Sequence, residues 1–182
     1  MQMAKLMQRR HFLTYLSVGA TLAWAGHWPV YAQEPHEDQA FFHLDMPDLH
    51  GETVSLAQYT GTPLVVNFWA SWCPPCVEEM PELERLSQAY PEIQFLGLAI
   101  DTRRNIQKFL QEVAVSYDLL IPGYSGVEVM RALGNSKGGL PYTVLFDAQG
   151  AQVKHILGQI ETESFSADLD ALRAGTMSAA EP

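Results

Sequence analysis

Cys73-Pro74-Pro75-Cys76 holds both cysteines of the 182-residue chain. An apolar run precedes the pair and a helical pattern follows it, so Cys73 falls at a helix N-terminus and Cys76 one turn inside. The partial positive charge and free N–H groups of that end favour a thiolate on Cys73. Cys76 is then close enough to attack a mixed disulfide formed at Cys73, which makes the two thiols a two-electron couple. Position assigns the roles: Cys73 is the nucleophile and Cys76 the resolving thiol. Two plainer readings compete. Half of a zinc site would need about four ligands, and His43, His50 and His155 show no ligand spacing. An inert structural disulfide closing so small a loop would constrain little of the unfolded chain.

The elements that must carry this pair follow from periodicity. Residues 64–69, a mostly apolar run, are expected as a buried central strand. Residues 74–90 read as a helix, with Val77, Met80, Leu83 and Leu86 at three-residue steps, and Pro81 is expected to interrupt or kink it. Residues 93–100 form a second buried strand and 105–117 a second amphipathic helix. An extra strand (119–121) and a short helix (127–133) come next. Residues 143–146 and 153–157 make a hairpin, and 163–174 a closing helix. Ahead of all these, 41–45 and 53–56 are expected to pair as a small hairpin. The result is an α/β domain with a mixed central sheet.

The run Asn67-Phe68-Trp69-Ala70-Ser71-Trp72-Cys73-Pro74-Pro75-Cys76 is followed by Glu79 and Pro81, with Gly139-Leu140-Pro141 far downstream. Together they resemble the thioredoxin superfamily. More narrowly, they are similar to the TlpA/ResA-like thiol-disulfide oxidoreductases of the cell envelope, relatives of the CcmG-type proteins of cytochrome c maturation. The resemblance covers roughly residues 41–174. It implies a thioredoxin-like fold with an N-terminal β-hairpin and a central insertion between Asp101 and Leu140. It also implies a cis peptide before Pro141, beside the cysteines, with the backbone of Leu140 free to pair with an extended client segment. Trp72, Pro74, Pro75, Gly139 and Leu140 are the expected substrate-binding surface. Cys73, Cys76, Glu79 and Pro141 are the expected catalytic set.

Asn67 stands where a typical thioredoxin carries a buried Asp, and an amide cannot shuttle a proton. Glu79 lies three residues after Cys76, on the same helix face, whereas Glu78 points away. Glu79 is therefore the expected proton acceptor for Cys76; the alternative is a solvated surface glutamate.

Composition limits the rest. The chain is 47% hydrophobic and 18% charged, which excludes a disordered chain, and two cysteines exclude a disulfide-stapled scaffold. A pI near 4.9 argues against nucleic acid. Three of the basic residues, Lys5, Arg9 and Arg10, precede an uncharged run over 12–25 and small residues ending at Ala32. This reads as a signal peptide, 1–32. Arg9-Arg10-His11-Phe12-Leu13 is similar to the twin-arginine motif, although Gln8 and Thr14 depart from it, so the general secretory route stays open. An uncleaved signal would instead anchor the protein in the membrane. Residues 33–40 are expected as a flexible leader, 41–174 as the domain and 175–182 as a flexible tail. The segment after residue 32 has 8 basic and 21 acidic residues, a charge of −13. Neutral or basic client surfaces are expected to suit it. Arg103-Arg104 is expected to be a solvated loop pair, Trp69 core, and Trp72 a partly exposed flank.

The expected location is the periplasm and the expected state a monomer, with no cofactor and no metal. The expected partners are client protein thiols and disulfides. The resemblance implies a reductant, kept reduced by a membrane thiol carrier and acting on apocytochrome c or copper-assembly thiols. The alternatives are a general disulfide reductant, an oxidising catalyst, or a Cu(I) or haem chaperone using the two thiols as ligands. A peroxidase is the weaker reading, because this spacer suits exchange better.

Overall fold

The computed structural model describes residues 37–177; the predicted signal peptide, residues 33–36 of the leader and residues 178–182 lie outside them. A 3-10 segment, Glu37–His43, leads into a hairpin of β1 (Asp45–Pro47) and β2 (Thr53–Ser55). The main sheet contains β3 (Leu64–Trp69), β4 (Gln94–Ala99), β5 (Asp118–Leu120), β6 (Tyr142–Phe146) and β7 (Gln152–Leu157), in spatial order β5-β4-β3-β6-β7. Strands β3, β4 and β5 run parallel; β6 runs antiparallel to β3, and β7 antiparallel to β6. Among the described residues the α-helices are α1 (Pro74–Ala89), α2 (Arg103–Phe109), α3 (Gly126–Ala132) and α4 (Thr162–Arg173).

All six residues of β3 are buried, as a central strand covered on both faces requires. Successive side chains alternate between the two faces. Val65, Phe95, Leu145 and Val153 pack under Leu83 and Leu86 of α1 and Phe165, Leu169 and Leu172 of α4. Val66, Phe68, Leu96 and Leu98 pack on the other side against Phe41, Phe42, Met46 and Met130. A third cluster sits where β3 ends, joining Trp69, Cys73, Cys76, Met80, Ala99 and Ile106. Gly97 permits that closure: a Cβ there would lie 2.4 Å from Leu119 and 3.1 Å from the Trp69 indole nitrogen.

Three local expectations are corrected. Phe41 and Phe42 are not strand residues, and β1 starts only at Asp45. Both rings are buried and meet Phe146, at 5.1 and 5.3 Å between centroids; two adjacent side chains buried on one side do not fit the alternation of a strand. The second helix ends at Phe109 rather than reaching Tyr117. The Ser116 N–H and hydroxyl instead donate to the Glu84 carboxylate on α1, at 2.8 and 2.6 Å, and tie this stretch to α1. Pro81 does not interrupt α1. It is exposed, so the Val77 carbonyl that loses its intrahelical donor is on the wet side of the helix.

Candidate active site

The loop between β3 and α1 turns so that Cys73 is the N-cap of α1, with extended φ and ψ of −103° and 99°. Its N–H donates to the Ala70 carbonyl at 3.1 Å. Cys73 and Cys76 form a disulfide with Cα atoms 5.3 Å apart. Both are buried, Cys76 completely, whereas Trp72 beside them is 59% exposed.

The two prolines change how this helix end treats a thiolate. Pro74 and Pro75 occupy the first two helical positions and have no N–H. The first amides belong to Cys76 and Val77, and both donate to the Cys73 carbonyl, at 3.0 and 3.1 Å. The expected free N–H groups are therefore missing from the first turn, and the helix dipole is what remains to favour the anion.

Glu79 is buried, 4% exposed, which removes the solvated-surface alternative. Asn67 Nδ2 donates to its Oε1 at 2.9 Å, and the Ile160 N–H, just before α4, donates to its Oε2 at 3.1 Å. Burial pushes the carboxyl up to about 7, against the opposing pull of those two donors. Asn67 Nδ2 also donates to Thr143 Oγ1 on β6 at 3.0 Å, while its own Oδ1 has no partner among the described residues. Glu78 points outward, where Gln159 Nε2 donates to it at 3.2 Å.

The Leu140–Pro141 peptide is cis, as the resemblance implied. Asn135 positions the preceding loop: its Nδ2 donates to the Gly139 carbonyl at 2.7 Å and its Oδ1 accepts the Gly139 N–H at 3.3 Å. The Gly158 N–H donates to the Pro141 carbonyl at 2.9 Å. Leu140 packs against the cluster that holds both cysteines. The loop and the CxxC turn thus meet at one end of the sheet.

Sequence reasoning missed Asp101 and Ser71. Asp101, just past β4, accepts from the Ser71 N–H at 3.1 Å and from the Ser71 hydroxyl, and so holds the residue before Trp72. The Thr102 N–H and Asn105 Nδ2 donate to its other oxygen, at 2.6 and 2.8 Å. Burial opposes the charge, but these donors outweigh it and keep Asp101 below the ordinary carboxylate range. Asn135 and Thr143 were missed for a similar reason: a lone buried polar residue signals nothing until its partners are placed. No group of three or more His, Cys, Asp and Glu converges on one point among the described residues, so a Cu(I) site here would rest on the two thiols alone.

Comparison with known proteins agrees with this geometry. Residues 38–156 match the AhpC/TSA family. The thiol-disulfide oxidoreductase ResA of Geobacillus thermodenitrificans is 29% identical over 131 residues, covering 70% of this chain and 73% of the relative. ResA of Halalkalibacterium halodurans is 32% identical over 120 residues, covering 64% and 66%. Among solved structures, a thioredoxin-related protein from Neisseria meningitidis serogroup B superposes with a TM-score of 0.63 at 29% identity, over 71% of this chain and 98% of the other. MTB dsbF superposes with a TM-score of 0.65 at 24% identity, over 73% and 97%, and speaks to the fold alone. With a five-stranded mixed sheet, a CxxC disulfide capping α1 and a cis-proline loop beside it, the chain belongs to the AhpC/TSA family, in its thioredoxin-like branch of thiol-disulfide oxidoreductases.

Proposed function

We propose that the protein reduces disulfides of client proteins in the bacterial cell envelope. The observation that carries this reading is the Cys73–Cys76 disulfide at the start of α1 with the buried Glu79 carboxyl on the same helix. In the dithiol form, the Cys73 thiolate attacks one sulfur of the client disulfide. A mixed disulfide forms and the other client sulfur leaves as a thiolate. Cys76 passes its proton to the Glu79 carboxylate and attacks the Cys73 sulfur, which expels the second client thiolate. The client gains two electrons and the protein ends with the disulfide seen here. A carboxyl tuned to about 7 suits a base that must accept a proton near neutral pH and release it again. Trp72, Pro74, Pro75, Gly139 and Leu140 border the buried sulfurs and form the surface on which the client lies, and Pro141 shapes the loop.

The envelope location rests on the signal-like segment 1–32. Among the described residues no helix is long and apolar enough to cross a membrane. The likeness to ResA supports thiol-disulfide exchange. The reductive direction, a membrane thiol carrier as electron donor, and apocytochrome c or copper-assembly thiols as clients are what the TlpA/ResA-like resemblance implies. Trapping tests both partner and mechanism. Cys76→Ser should accumulate a mixed disulfide at Cys73 with its envelope client, whereas Cys73→Ser should not. Recovery of no covalent partner from envelope extracts overturns the reading.

A further inference from the structure

The domain's net charge is strongly negative, yet its cations are not spread evenly. Four of the eight basic residues beyond the predicted signal peptide are neutralised locally. Arg85 pairs with Glu82, Arg131 with Glu128, Lys154 with Asp168, and Arg173 with Glu92 and Asp170. The other four, Arg103, Arg104, Lys108 and Lys137, have no carboxylate oxygen within 4.0 Å among the described residues.

All four lie at the disulfide end. Arg103 and Arg104 open α2, directly after β4 ends beside Trp69. The Arg103 guanidinium lies over Gly51 of the β1–β2 turn. Lys108 lines a cleft of about 300 Å³ with Ser71, Asn105, Phe109 and Glu112, next to the exposed Trp72. Lys137 is in the loop that Asn135 ties to Gly139, just ahead of the cis proline. The carboxylates on this side are Glu112 in the same cleft, the buried Asp101 saturated by its four donors, and Asp48 and Glu52 in the β1–β2 turn. Glu78 and Glu161 are on the opposite side, where α1 and α4 begin. One flank of the disulfide therefore carries the unpaired cations Arg103, Arg104 and Lys108 among its carboxylates, and the side where α1 and α4 begin presents Glu78 and Glu161.

The apolar residues show the same selection. Trp72, Tyr124 and Leu157 are the exposed large hydrophobic residues among those described, at 59, 75 and 54%. Trp72 follows β3, Tyr124 follows β5 and Leu157 ends β7, and these strands all point the same way. Leu157 also reaches to 3.2 Å from where a Gly139 Cβ would sit. The three form a line across the sheet's end with Trp72 at its centre. Across four strand spacings that line is about 19 Å long, the length of roughly six extended residues.

We propose that this end of the sheet docks an acidic client segment, an inference that rests on the exchange reaction above. The segment is extended and presents its cysteine to Cys73. It sets apolar neighbours against Trp72 and Leu157 and directs Asp or Glu residues toward Arg103, Arg104 and Lys108. The negative charge elsewhere on the domain does not prevent this, because charges beyond about 8–10 Å are screened at physiological salt. The unpaired cations lie within the docking zone, where attraction sets both orientation and encounter rate. For the segment that touches the site, an acidic client departs from the expectation that clients present neutral or basic surfaces.

The full-length reduced protein tests this with two synthetic peptides. Each carries one internal disulfide with the same apolar neighbour, flanked by Asp residues in one and by Lys residues in the other. At low salt the acidic peptide should be reduced about tenfold faster, and the gap should close at high salt. Charge reversal (R103E/R104E/K108E) should invert the preference. Tyr124→Ser and Leu157→Ser should slow both peptides alike. Equal rates for the two peptides in the wild type, or a faster basic peptide, overturn the proposal, as does an unchanged preference in the charge-reversed protein. The neutral reagent bis(2-hydroxyethyl) disulfide separates the two levels of inference. If it is not reduced, the exchange reading fails; if it is reduced while the peptides behave alike, only the docking surface fails.

Discussion

Two carboxylates with equally little exposed surface flank the CxxC turn, and they are electrostatically opposite. Glu79 and Asp101 are each 4% exposed, yet Glu79 is pushed up to about 7 and Asp101 is held below its ordinary range. Depth of burial and the number of donors together decide the difference, since Glu79 lies deeper in the protein and has fewer donors. Asp101 receives four hydrogen bonds, from the Ser71 N–H and hydroxyl, the Thr102 N–H and Asn105. Glu79 receives two, from Asn67 and the Ile160 N–H. Desolvation acts on both; only at Asp101 is it outweighed. Asp101 is a permanent anion that ties the Trp72 loop to the end of β4. Glu79 sits at the balance point where a proton can be taken up and released.

The largest effect should come from Asp101→Ala, which strands two backbone N–H groups and two side-chain donors. Loss of about 3 kcal/mol is expected in denaturant unfolding, and a change below 1 kcal/mol would dismiss the anchor. Asp101 has a depressed folded pKa, so its contribution is present above the unfolded value of 3.8 and is lost as pH falls through the folded one.

Glu79 has the opposite sign. Its folded pKa, about 7, lies above the unfolded 4.5. Its contribution is full below 4.5 and lost as pH rises to 7, a difference of about 3 kcal/mol. Unfolding measured between these limits should show stability falling with pH in the wild type and a flatter curve in Glu79→Gln. Equal slopes would mean that the carboxyl titrates normally. The same variant should slow release of the mixed disulfide by Cys76 about 100-fold at neutral pH, seen in single-turnover kinetics as loss of the pH dependence near 7.

Smaller changes refine the comparison. Asn67→Ala removes one of the two donors to Glu79 and should move the midpoint of that pH profile upward by about half a unit to one unit. Ser71→Ala removes one of the donors to Asp101 and should cost about 1 kcal/mol, with the pH profile of exchange unmoved. A shift of the profile in Ser71→Ala would show that the two carboxylates are coupled.

The parts that were legible in the amino-acid sequence share one property: their signals are local. Leu64–Trp69 reads as a buried strand because its apolar run is continuous, and the helix starts where Pro74 and Pro75 suit a first turn. Where a local pattern competed with a distant contact, the distant contact prevailed. Val113 and Tyr117 continue the three-to-four-residue spacing of Ile106, Phe109 and Leu110, but Ser116 is claimed by Glu84, 32 residues away. Phe41 and Phe42 read as strand residues until Phe146 supplies the rings against which both are buried.

The same division holds at the site. The sequence alone determined the two-thiol chemistry, because a CxxC spacing at a strand-to-helix junction places both sulfurs within four residues, where chain geometry permits little else. It also carried the downstream proline, through a resemblance rather than through any local pattern. Only the tertiary structure decided that Glu79 is buried and Asp101 anchored, since their donors come from β3, the start of α4, the β3–α1 loop and α2. Only the tertiary structure showed which cations in the segment after residue 32, whose charge is −13, are paired and which stand unpaired beside the disulfide. Charge summed along a chain has no direction; pairing in space removes some cations and leaves the others where the client must approach.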